Sequence, residues 1–283
     1  MNILYCGDKN IADGFILSVL SLLRAVDEPM QIYVLTLSCR HGERTWEPFP
    51  QELADWMDRK LRRESPGSSV HLFDLTELFS REMPLANMDT RFTPCCMLRL
   101  YADQIPALPD RILYLDNDVL CRKNPKEFYN QDLGGSELAG VLDHYGKWFF
   151  RRNPFRLDYL NSGVLLLDLA RIRQTGLFAK CRARCRDKEM FMPDQSAINK
   201  LAISRKTCPR RYNEQRKLHS NTVFQHFTTS FRFFPWFHAV SVKPWQIERM
   251  HSVLKLHEYD DLLAAYVLWR DSFRAESTME VTP

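Results

Sequence analysis

The sequence lacks the features that mark several large classes of protein. It has eight cysteines, but none of them form a C-x-x-C pair or a dense disulfide framework. The cysteines therefore favour reduced thiols in a cytosolic protein. No uncharged apolar run approaches the roughly 18 residues of a membrane-spanning helix. The N-terminus also lacks the basic and apolar regions of a signal peptide, so we expect none.

Flexible linkers, internal repeats and low-complexity tracts are missing as well. With 283 residues and 45% hydrophobic content, the chain is large enough for a substantial core. We therefore predict one domain over residues 1–245, followed by a C-terminal helical extension and tail over 246–283, whose last ten residues fray. The net charge of +4 suits an anionic ligand such as a nucleotide phosphate and argues against nucleic-acid binding.

Apolar periodicity predicts alternating strands and helices in the first half of the chain. We expect strands at "NILYC", "QIYVLTLS" and "SVHLFDL", and helices at "IADGFILSVLSLLRAV", "QELADWMDRKLRRE" and "CCMLRLYADQI". This alternation is typical of the α/β class, in which helices cover a parallel sheet. The later segments "ELAGVLDHY", "DYLNSGVLLLDL" and "NTVFQHF" read as strands, while "ARIRQTGLFAKCRARCRD" and "PDQSAINKLA" read as helices.

Two carboxylates follow the strand-like part of "RILYLDNDVLCR", residues 111–122. On a strand, residues two apart point the same way, so Asp116 and Asp118 would converge where the chain leaves the sheet. Ligands of α/β proteins bind at that edge. Two adjacent negative charges are costly unless a cation or a shared proton offsets them, and a divalent metal does this well. The alternative is a pair of solvated turn residues, which an isolated D-x-D motif favours, so the rest of the chain must decide between them.

Five stretches occur in an order that resembles glycosyltransferase family 8. They are "ILYCGDKN", "MLRL" at 97–100, "RILYLDNDVL", "LNSGVLLLDL" with "PDQSAIN", and a late histidine with "KPW" at 243–245. This family contains retaining transferases that use nucleotide-sugar donors, mostly with UDP. The resemblance implies the A-type glycosyltransferase fold, a Rossmann-like, mostly parallel central sheet flanked by helices.

The resemblance also implies a role for each matching residue. Asp116, Asp118 and a histidine would hold Mn²⁺ (or Mg²⁺), which bridges the donor diphosphate. The residues implied to bind the donor are Asp8, Asn10, Arg99, Asn117 and Lys243. Those implied to surround the sugar at the catalytic centre are Asp143, Asn161, Asp194 and Gln195. Taken singly, each also has a structural interpretation, such as a turn for Asp8 or a helix start for Asp194.

The sequence departs from the family pattern in two places. Ile11 stands where the family usually has a tyrosine that stacks on the base. Two histidines, His226 and His238, compete for the metal. We expect His226, because it ends a strand-like segment and a strand end fixes a ligand better than an aromatic loop. His238 has the usual spacing to "KPW" and stays the alternative.

If His226 is the ligand, "TTSFRFFPWFHAVSV" (228–242) is an insertion. Together with "GKWFFRR" (146–152) it interleaves aromatic and basic residues. Such a patch suits an acceptor sugar or a membrane surface. The alternative is an internal core for the insertion itself.

The resemblance implies a cytoplasmic, metal-dependent hexosyltransferase, in peripheral contact with the inner face of the membrane. It would move galactose or glucose from UDP-galactose or UDP-glucose to a glycan or glycolipid acceptor, as in bacterial lipopolysaccharide or capsule synthesis. There are two alternatives. One is a haloacid-dehalogenase-like phosphatase, because "ILYLDNDVL" also fits the aspartate motif of that family. The other is a protein that binds a nucleotide sugar without turnover. The phosphatase interpretation is disfavoured, because that family carries its aspartate pair on the first strand and here three strands precede it.

Overall fold

A computed structural model describes residues 1–90, 93–149, 158–232, 236 and 238–280. Within these residues the strands are β1 (Asn2–Cys6), β2 (Gln31–Thr36), β3 (Cys39–His41), β4 (Arg44–Trp46), β5 (Ser69–Asp74), β6 (Arg111–Leu115), β7 (Val119–Cys121), β8 (Leu138–Leu142), β9 (Leu160–Asp168), β10 (Arg205–Thr207), β11 (Phe224–His226), β12 (Ser230–Arg232) and β13 (His238–Val240). The α-helices are α1 (Ala12–Ala25), α2 (Gln51–Glu64), α3 (Thr76–Arg81), α4 (Lys126–Asn130), α5 (Gly146–Phe149), α6 (Leu169–Thr175), α7 (Leu177–Asp187), α8 (Pro193–Leu201), α9 (Ile247–Arg249) and α10 (Asp260–Glu280). Short 3₁₀ helices occupy Lys9–Ile11, Leu85–Asn87, Pro94–Gln104 and Arg210–Tyr212, and a π-helix occupies Met250–Leu254.

The central sheet has the strand order β10-β8-β9-β6-β1-β2-β5. Strand β9 runs antiparallel to both of its neighbours, and the other pairings in this sheet are parallel. This confirms the prediction of a mostly parallel α/β sheet. The reversal of β9 brings its first residues to the edge where β6 ends, and the Asp116 amide donates to the Gly163 carbonyl at 2.8 Å.

Helices bury both faces of the sheet. Side chains alternate along β1, so that Ile3 and Tyr5 belong to one hydrophobic cluster and Leu4 to another. The first cluster contains residues of α1, α2 and α10, and the second contains residues of the Pro94–Gln104 helix, α6, α7 and α8. The sheet is therefore the middle layer of three, as strands with nearly continuous apolar runs require.

Two predicted helices differ in detail from the structure. The segment around "CCMLRLYADQI" is helical but forms a 3₁₀ helix, which begins where Thr93 Oγ1 accepts from the Cys95 amide at 3.0 Å. The segment "ARIRQTGLFAKCRARCRD" is divided at Gly176 into α6 and α7. Gly176 has φ +66°, a left-handed conformation that ends a helix and that glycine adopts without strain.

The expectation of a frayed C-terminal tail was wrong for the part of it that the structure describes, because α10 continues to Glu280. Its far end is held against α2 by Trp56, whose Nε1 donates to Glu276 Oε1 at 3.1 Å. Nearer its start, the Tyr266 hydroxyl donates to Asp13 on α1 at 2.7 Å.

The domain boundary at residue 245 stays a prediction. None of the described helices is both long and apolar enough to cross a membrane.

Candidate active site

Two carboxylates and one imidazole meet at the carboxyl edge of the sheet. Asp116 directly follows β6, Asp118 directly precedes β7, and His226 ends β11, which pairs with β7 so that His226 lies opposite Val119. His226 Nε2 lies 3.6 Å from Asp116 Oδ2 and 3.2 Å from Asp118 Oδ1. One ligand atom from each residue lies within 4.8 Å of the other two. Strand pairing between β7 and β11 thus brings a distant histidine to the two aspartates.

The other ring nitrogen of His226 determines what Nε2 can offer. Nδ1 lies 3.1 Å from Asn161 Oδ1 and 3.2 Å from Asn213 Oδ1. The Asn161 oxygen is oriented towards the histidine because its Nδ2 donates to Asp143 at 2.9 Å. Because Nδ1 faces two amide oxygens, which only accept hydrogen bonds, Nδ1 must carry a proton. In the neutral imidazole, Nε2 then has no proton and presents a lone pair to two carboxylates. This arrangement is repulsive unless a proton on Nε2 or a metal ion lies between these groups, and with a metal ion there it is the arrangement in which histidine acts as a ligand.

Two further features of the site fit a divalent ion. Among the residues that the structure describes, the buried Oδ1 of Asp118 has no hydrogen-bond donor apart from His226 Nε2 at 3.2 Å, which donates only when that nitrogen carries a proton. A Cβ added at Gly163 would lie 2.6 Å from His226 Nδ1 and 2.8 Å from Asp116 Oδ2, so only glycine leaves room for the imidazole. Carboxylate and imidazole ligands together suit Mn²⁺, Mg²⁺ or Zn²⁺.

Lys243 is the counter-ion of Asp118. Its Nζ donates to Asp118 Oδ2 and, at 3.2 Å, to the Phe227 carbonyl. Burial raises the pKa of Asp118, but the nearby Lys243 ammonium and His226 imidazole outweigh burial and hold that pKa well below its ordinary value. Burial lowers the pKa of Lys243, and the negative charge of Asp118 more than reverses this. Both groups are therefore charged at neutral pH.

Arg99 lies buried between two carboxylates. Its Nη2 donates to Asp116 Oδ1 at 2.9 Å, and its Nε lies 3.3 Å from Asp194 Oδ2. Its Nη1 donates to the Ser162 carbonyl at 2.5 Å, and its guanidinium carbon lies 3.8 Å from the Tyr114 ring centroid. The side chain is only 3% exposed, so it does not extend from its helix into solvent.

Asp143, Asn161, Asp194 and Gln195 form one buried hydrogen-bond network. They come from the end of β8, the start of β9 and the first turn of α8. Asn161 Nδ2 and Gln195 Nε2 both donate to Asp143 Oδ2, at 2.9 and 3.2 Å. Gln195 Oε1 accepts from the Ser162 amide at 2.8 Å. The antiparallel course of β9 is what lets residues from three elements share this edge.

Asp8 and Asn10 follow β1 at the same edge of the sheet, where Asp8 caps the 3₁₀ helix Lys9–Ile11 that contains Asn10. Asp8 accepts from the Asn10 backbone amide at 3.0 Å and from its side-chain Nδ2 at 3.1 Å, so the pair builds a turn. Asn117 lies against α1. A Cβ added at Gly14 would come within 2.6 Å of the Asn117 carbonyl and 2.7 Å of the Trp245 ring. Contact with a donor stays a prediction for all three.

The structure separates His238 from the two aspartates. His238 begins β13, which pairs antiparallel with β12 in a hairpin, and its Nδ1 lies 2.8 Å from the Trp236 carbonyl. It belongs to neither of the metal-ligand groups found among the described residues.

The predicted aromatic and basic patch falls partly outside the described residues, at 150–152, 233–235 and 237. Its described tryptophans, Trp148 and Trp236, are 59% and 70% exposed.

Sequence reasoning missed three residues that hold the site together. Asn213 contacts His226 Nδ1 and donates to Asn161 Oδ1 at 2.8 Å. The Tyr114 hydroxyl donates to Asp116 Oδ1 at 2.6 Å. Asn199 donates to and accepts from the backbone of Leu160, at 2.7 Å each. Only Tyr114 had a local clue, since it precedes Asp116 by two residues on one strand face.

Comparison with known proteins gives consistent matches. A model of the family described as glycosyl transferase family 8 matches residues 2–248. The lipopolysaccharide 1,2-glucosyltransferase of Escherichia coli (strain K12) is 27% identical over 229 residues, which cover 75% of this chain and 62% of that protein. The lipopolysaccharide 1,3-galactosyltransferase of Salmonella typhimurium is 23% identical over 252 residues, which cover 80% of this chain and 70% of that protein. The chain thus spans less than two thirds of the E. coli protein.

The fold also matches a solved structure, that of the galactosyltransferase LgtC in complex with donor and acceptor sugar analogues. The TM-score is 0.66 at 19% identity, and the match covers 94% of this chain and 96% of LgtC. At this identity the match establishes the fold alone. It confirms the expected A-type glycosyltransferase fold.

Proposed function

Because the chain belongs to glycosyltransferase family 8, we propose that it is a metal-dependent retaining transferase. It moves galactose or glucose from a UDP-sugar to a glycan or glycolipid acceptor, in the cytoplasm and in peripheral contact with the inner face of the membrane. The activities named for the two lipopolysaccharide relatives support a hexose donor and a lipopolysaccharide-type acceptor. The observation that carries the proposal is the group of Asp116, Asp118 and His226, with Nε2 of the histidine directed at both carboxylates.

These three residues would hold Mn²⁺ or Mg²⁺. When bound, such an ion neutralises negative charge on the diphosphate as it leaves the sugar. Lys243 supports the same step. Its ammonium is already at the site on Asp118, and a diphosphate offers it a second anion within reach.

Arg99 acts as the positioning cation of the site. It contacts Asp116 on one side and Asp194 on the other, so it fixes both carboxylates without a metal. Buried charges of this kind persist only when they are paired, as here. We infer that Arg99 keeps Asp116 oriented for the metal and Asp194 oriented for the sugar.

The groups near the reacting sugar favour same-face attack by the acceptor over a covalent glycosyl-enzyme. Gln195 is an amide, which is a poor nucleophile. Asp194 Oδ2 is engaged by Arg99 at 3.3 Å and by the Ser162 hydroxyl at 3.3 Å, which lowers its nucleophilicity. Asp143 and Asn161 present polar atoms suited to sugar hydroxyls. A trapped sugar adduct on Asp194 or any other side chain would contradict this mechanism.

The nucleoside end of the donor site is assigned to Asp8, Asn10 and Asn117. Asp8 is buried, but a carboxylate has lone pairs beyond those that Asn10 uses, so it can still accept from a base. Ile11 offers no aromatic ring for stacking. We therefore expect weaker discrimination between bases than a stacking tyrosine gives.

The test is incubation of the chain with a panel of nucleotide sugars and Mn²⁺, following release of free nucleoside diphosphate. We expect turnover for one UDP-hexose and its loss, by at least about a hundredfold, in Asp116→Ala, Asp118→Ala and His226→Ala. His238→Ala and Asp89→Ala, which change a histidine and an exposed aspartate outside the group of Asp116, Asp118 and His226, serve as matched controls.

Three outcomes would contradict the proposal. Phosphate release from small phosphomonoesters without nucleotide-sugar turnover would favour a phosphatase. Binding of a UDP-sugar with Mn²⁺ but without hydrolysis or transfer would favour a protein that only binds the donor. Loss of metal binding in His238→Ala but not in His226→Ala would reassign the third ligand.

A further inference from the structure

Three side chains near the start of α10 form a second group of metal-ligating atoms. His251 belongs to the π-helix Met250–Leu254, His257 follows it in a loop, and Asp260 begins α10. His251 Nε2 lies 2.6 Å from Asp260 Oδ1, and His257 Nδ1 lies 3.4 Å from Asp260 Oδ2. One ligand atom of each lies within 4.8 Å of the other two. Two imidazoles and a carboxylate thus lie close enough together to hold one ion.

The distances suit a small transition-metal ion. The two imidazole rings are stacked, with centroids 4.5 Å apart and planes 17° apart, so the rings must rotate before both nitrogen lone pairs point at one ion. Ligand atoms about 2.1 Å from a tetrahedral zinc ion lie roughly 3.4 Å from one another. The distance from His257 Nδ1 to Asp260 Oδ2 already has this value, whereas His251 Nε2 contacts the other oxygen, Oδ1, at 2.6 Å, so this pair has to open by less than about 1 Å and the carboxylate has to bind through both oxygens or turn. Side chains that are 34%, 65% and 50% exposed, for His251, His257 and Asp260, can open by rotation.

The backbone between the ligands is unusual and brings them together. Lys255 has φ +57°. It is the one residue other than glycine that has a positive φ among the residues that the structure describes. The Leu256 amide donates to the Met250 carbonyl at 3.1 Å, which closes the turn after the π-helix. Single-turn π segments often occur at functional sites. This turn is what places the ring of His257 on the ring of His251.

The same turn forms one wall of a cavity beside the candidate active site. The cavity has a volume of about 410 Å³, and its lining includes His226 of the metal group. The lining also includes Leu254, Leu256 and Glu258, which lie between the two histidines or next to them. An ion that joins His251, His257 and Asp260 would therefore fix part of the wall of this cavity.

We propose that His251, His257 and Asp260 bind a divalent transition metal of the Zn²⁺ class, and that this ion fixes the turn over residues 254–258. Imidazole ligands favour Zn²⁺, Ni²⁺ and Cu²⁺ over the oxygen-preferring Mg²⁺ and Ca²⁺. Metal binding itself does not depend on the proposed transferase activity. Only its consequence for catalysis, a more rigid wall near His226, rests on that function.

The test is a calorimetric titration of the full chain with Zn²⁺, in the absence of any nucleotide sugar. We expect His257→Gln to bind one Zn²⁺ ion per chain fewer than the wild type, whether or not the candidate active site also binds Zn²⁺. The matched control is His41→Gln, since His41 contacts a single carboxylate, that of Asp89, at 3.3 Å. His41→Gln should bind as many Zn²⁺ ions per chain as the wild type does. Asp260→Asn should weaken the same site at least tenfold.

A second readout reports the turn directly. Zn²⁺ should slow hydrogen exchange of the amides of residues 254–258 at least about tenfold in the wild type and leave it unchanged in His257→Gln. Equal stoichiometry in wild type and His257→Gln, or Zn²⁺-independent exchange in this turn, would overturn the proposal. No nucleotide sugar is present in either measurement, so a missing Zn²⁺ site would leave the transferase proposal intact. Absence of sugar transfer would likewise leave the proposed Zn²⁺ site intact.

Discussion

Lys243 donates a hydrogen bond to Oδ2 of Asp118, the carboxylate that we propose as a metal ligand. The other oxygen of Asp118 faces His226 Nε2 at 3.2 Å. A metal ion and the Lys243 ammonium therefore compete for one buried carboxylate. A bound diphosphate would give Lys243 another anion and release Asp118, so nucleotide and metal should strengthen each other's binding.

Replacing Lys243 by methionine tests this competition. Without its ammonium, Asp118 is free for the ion, so the affinity of the nucleotide-free chain for Mn²⁺ should rise several-fold. The affinity for UDP should fall about tenfold, because one charge-assisted contact is lost. Free Mn²⁺ measured by electron paramagnetic resonance, with and without UDP, gives both quantities. Lower Mn²⁺ affinity in the nucleotide-free variant would show that Lys243 assists the metal instead of competing with it.

Asn213 should affect metal affinity although its side chain contacts the histidine and not the ion. Asn213→Ala removes one of the two amide oxygens that hold His226 Nδ1, and loss of such outer contacts typically costs 10–100-fold in metal affinity. Mn²⁺ titration of the variant measures the effect. Asn124→Ala, at an exposed asparagine that donates to Asp27, is the control and should bind Mn²⁺ as the wild type does.

Gly163 keeps open the space in which the imidazole of His226 lies. Gly163→Ala would force His226 or Asp116 to move, so we expect Mn²⁺ binding to be lost and the free energy of unfolding to fall by about 1–3 kcal/mol. Urea denaturation and Mn²⁺ titration measure the two effects. Gly42→Asn is a control, because its surroundings are open and asparagine tolerates its φ of +58°. A stable Gly163→Ala variant with normal metal affinity would show that the site tolerates the extra carbon.

The lowered pKa of Asp118 makes stability depend on pH in a defined direction. A carboxyl whose pKa is lower in the folded state stabilises the fold fully above its unfolded value of about 4, and this contribution is lost as the pH falls below that value. In metal-free buffer, the wild type should therefore be more stable than Asp118→Asn at pH 6. The difference in the free energy of unfolding should shrink between pH 4 and lower pH. A difference that does not vary with pH would show that the charge of Asp118 is not what stabilises it.

Local patterns in the sequence predicted the alternating elements. The strands β1, β2, β5 and β6 and the helices α1 and α2 each combine an apolar period with clear ends, so their identity follows from short segments. The same patterns did not predict the break at Gly176 or the length of α10. The first depends on one backbone conformation, and the second depends on packing against Trp56 and Asp13, which are distant in the chain.

The sequence by itself determined the α/β class, the family resemblance and the position of Asp116 and Asp118 at the end of a strand. Only the tertiary structure decided which other groups reach them. The reversal of β9 brings Asn161 and Gly163 to the site, and the pairing of β11 with β7 brings His226 there while His238 lies in a separate hairpin. Strand direction and pairing are set by burial and hydrogen bonding between segments far apart in the chain. Periodicity within one segment cannot encode that choice.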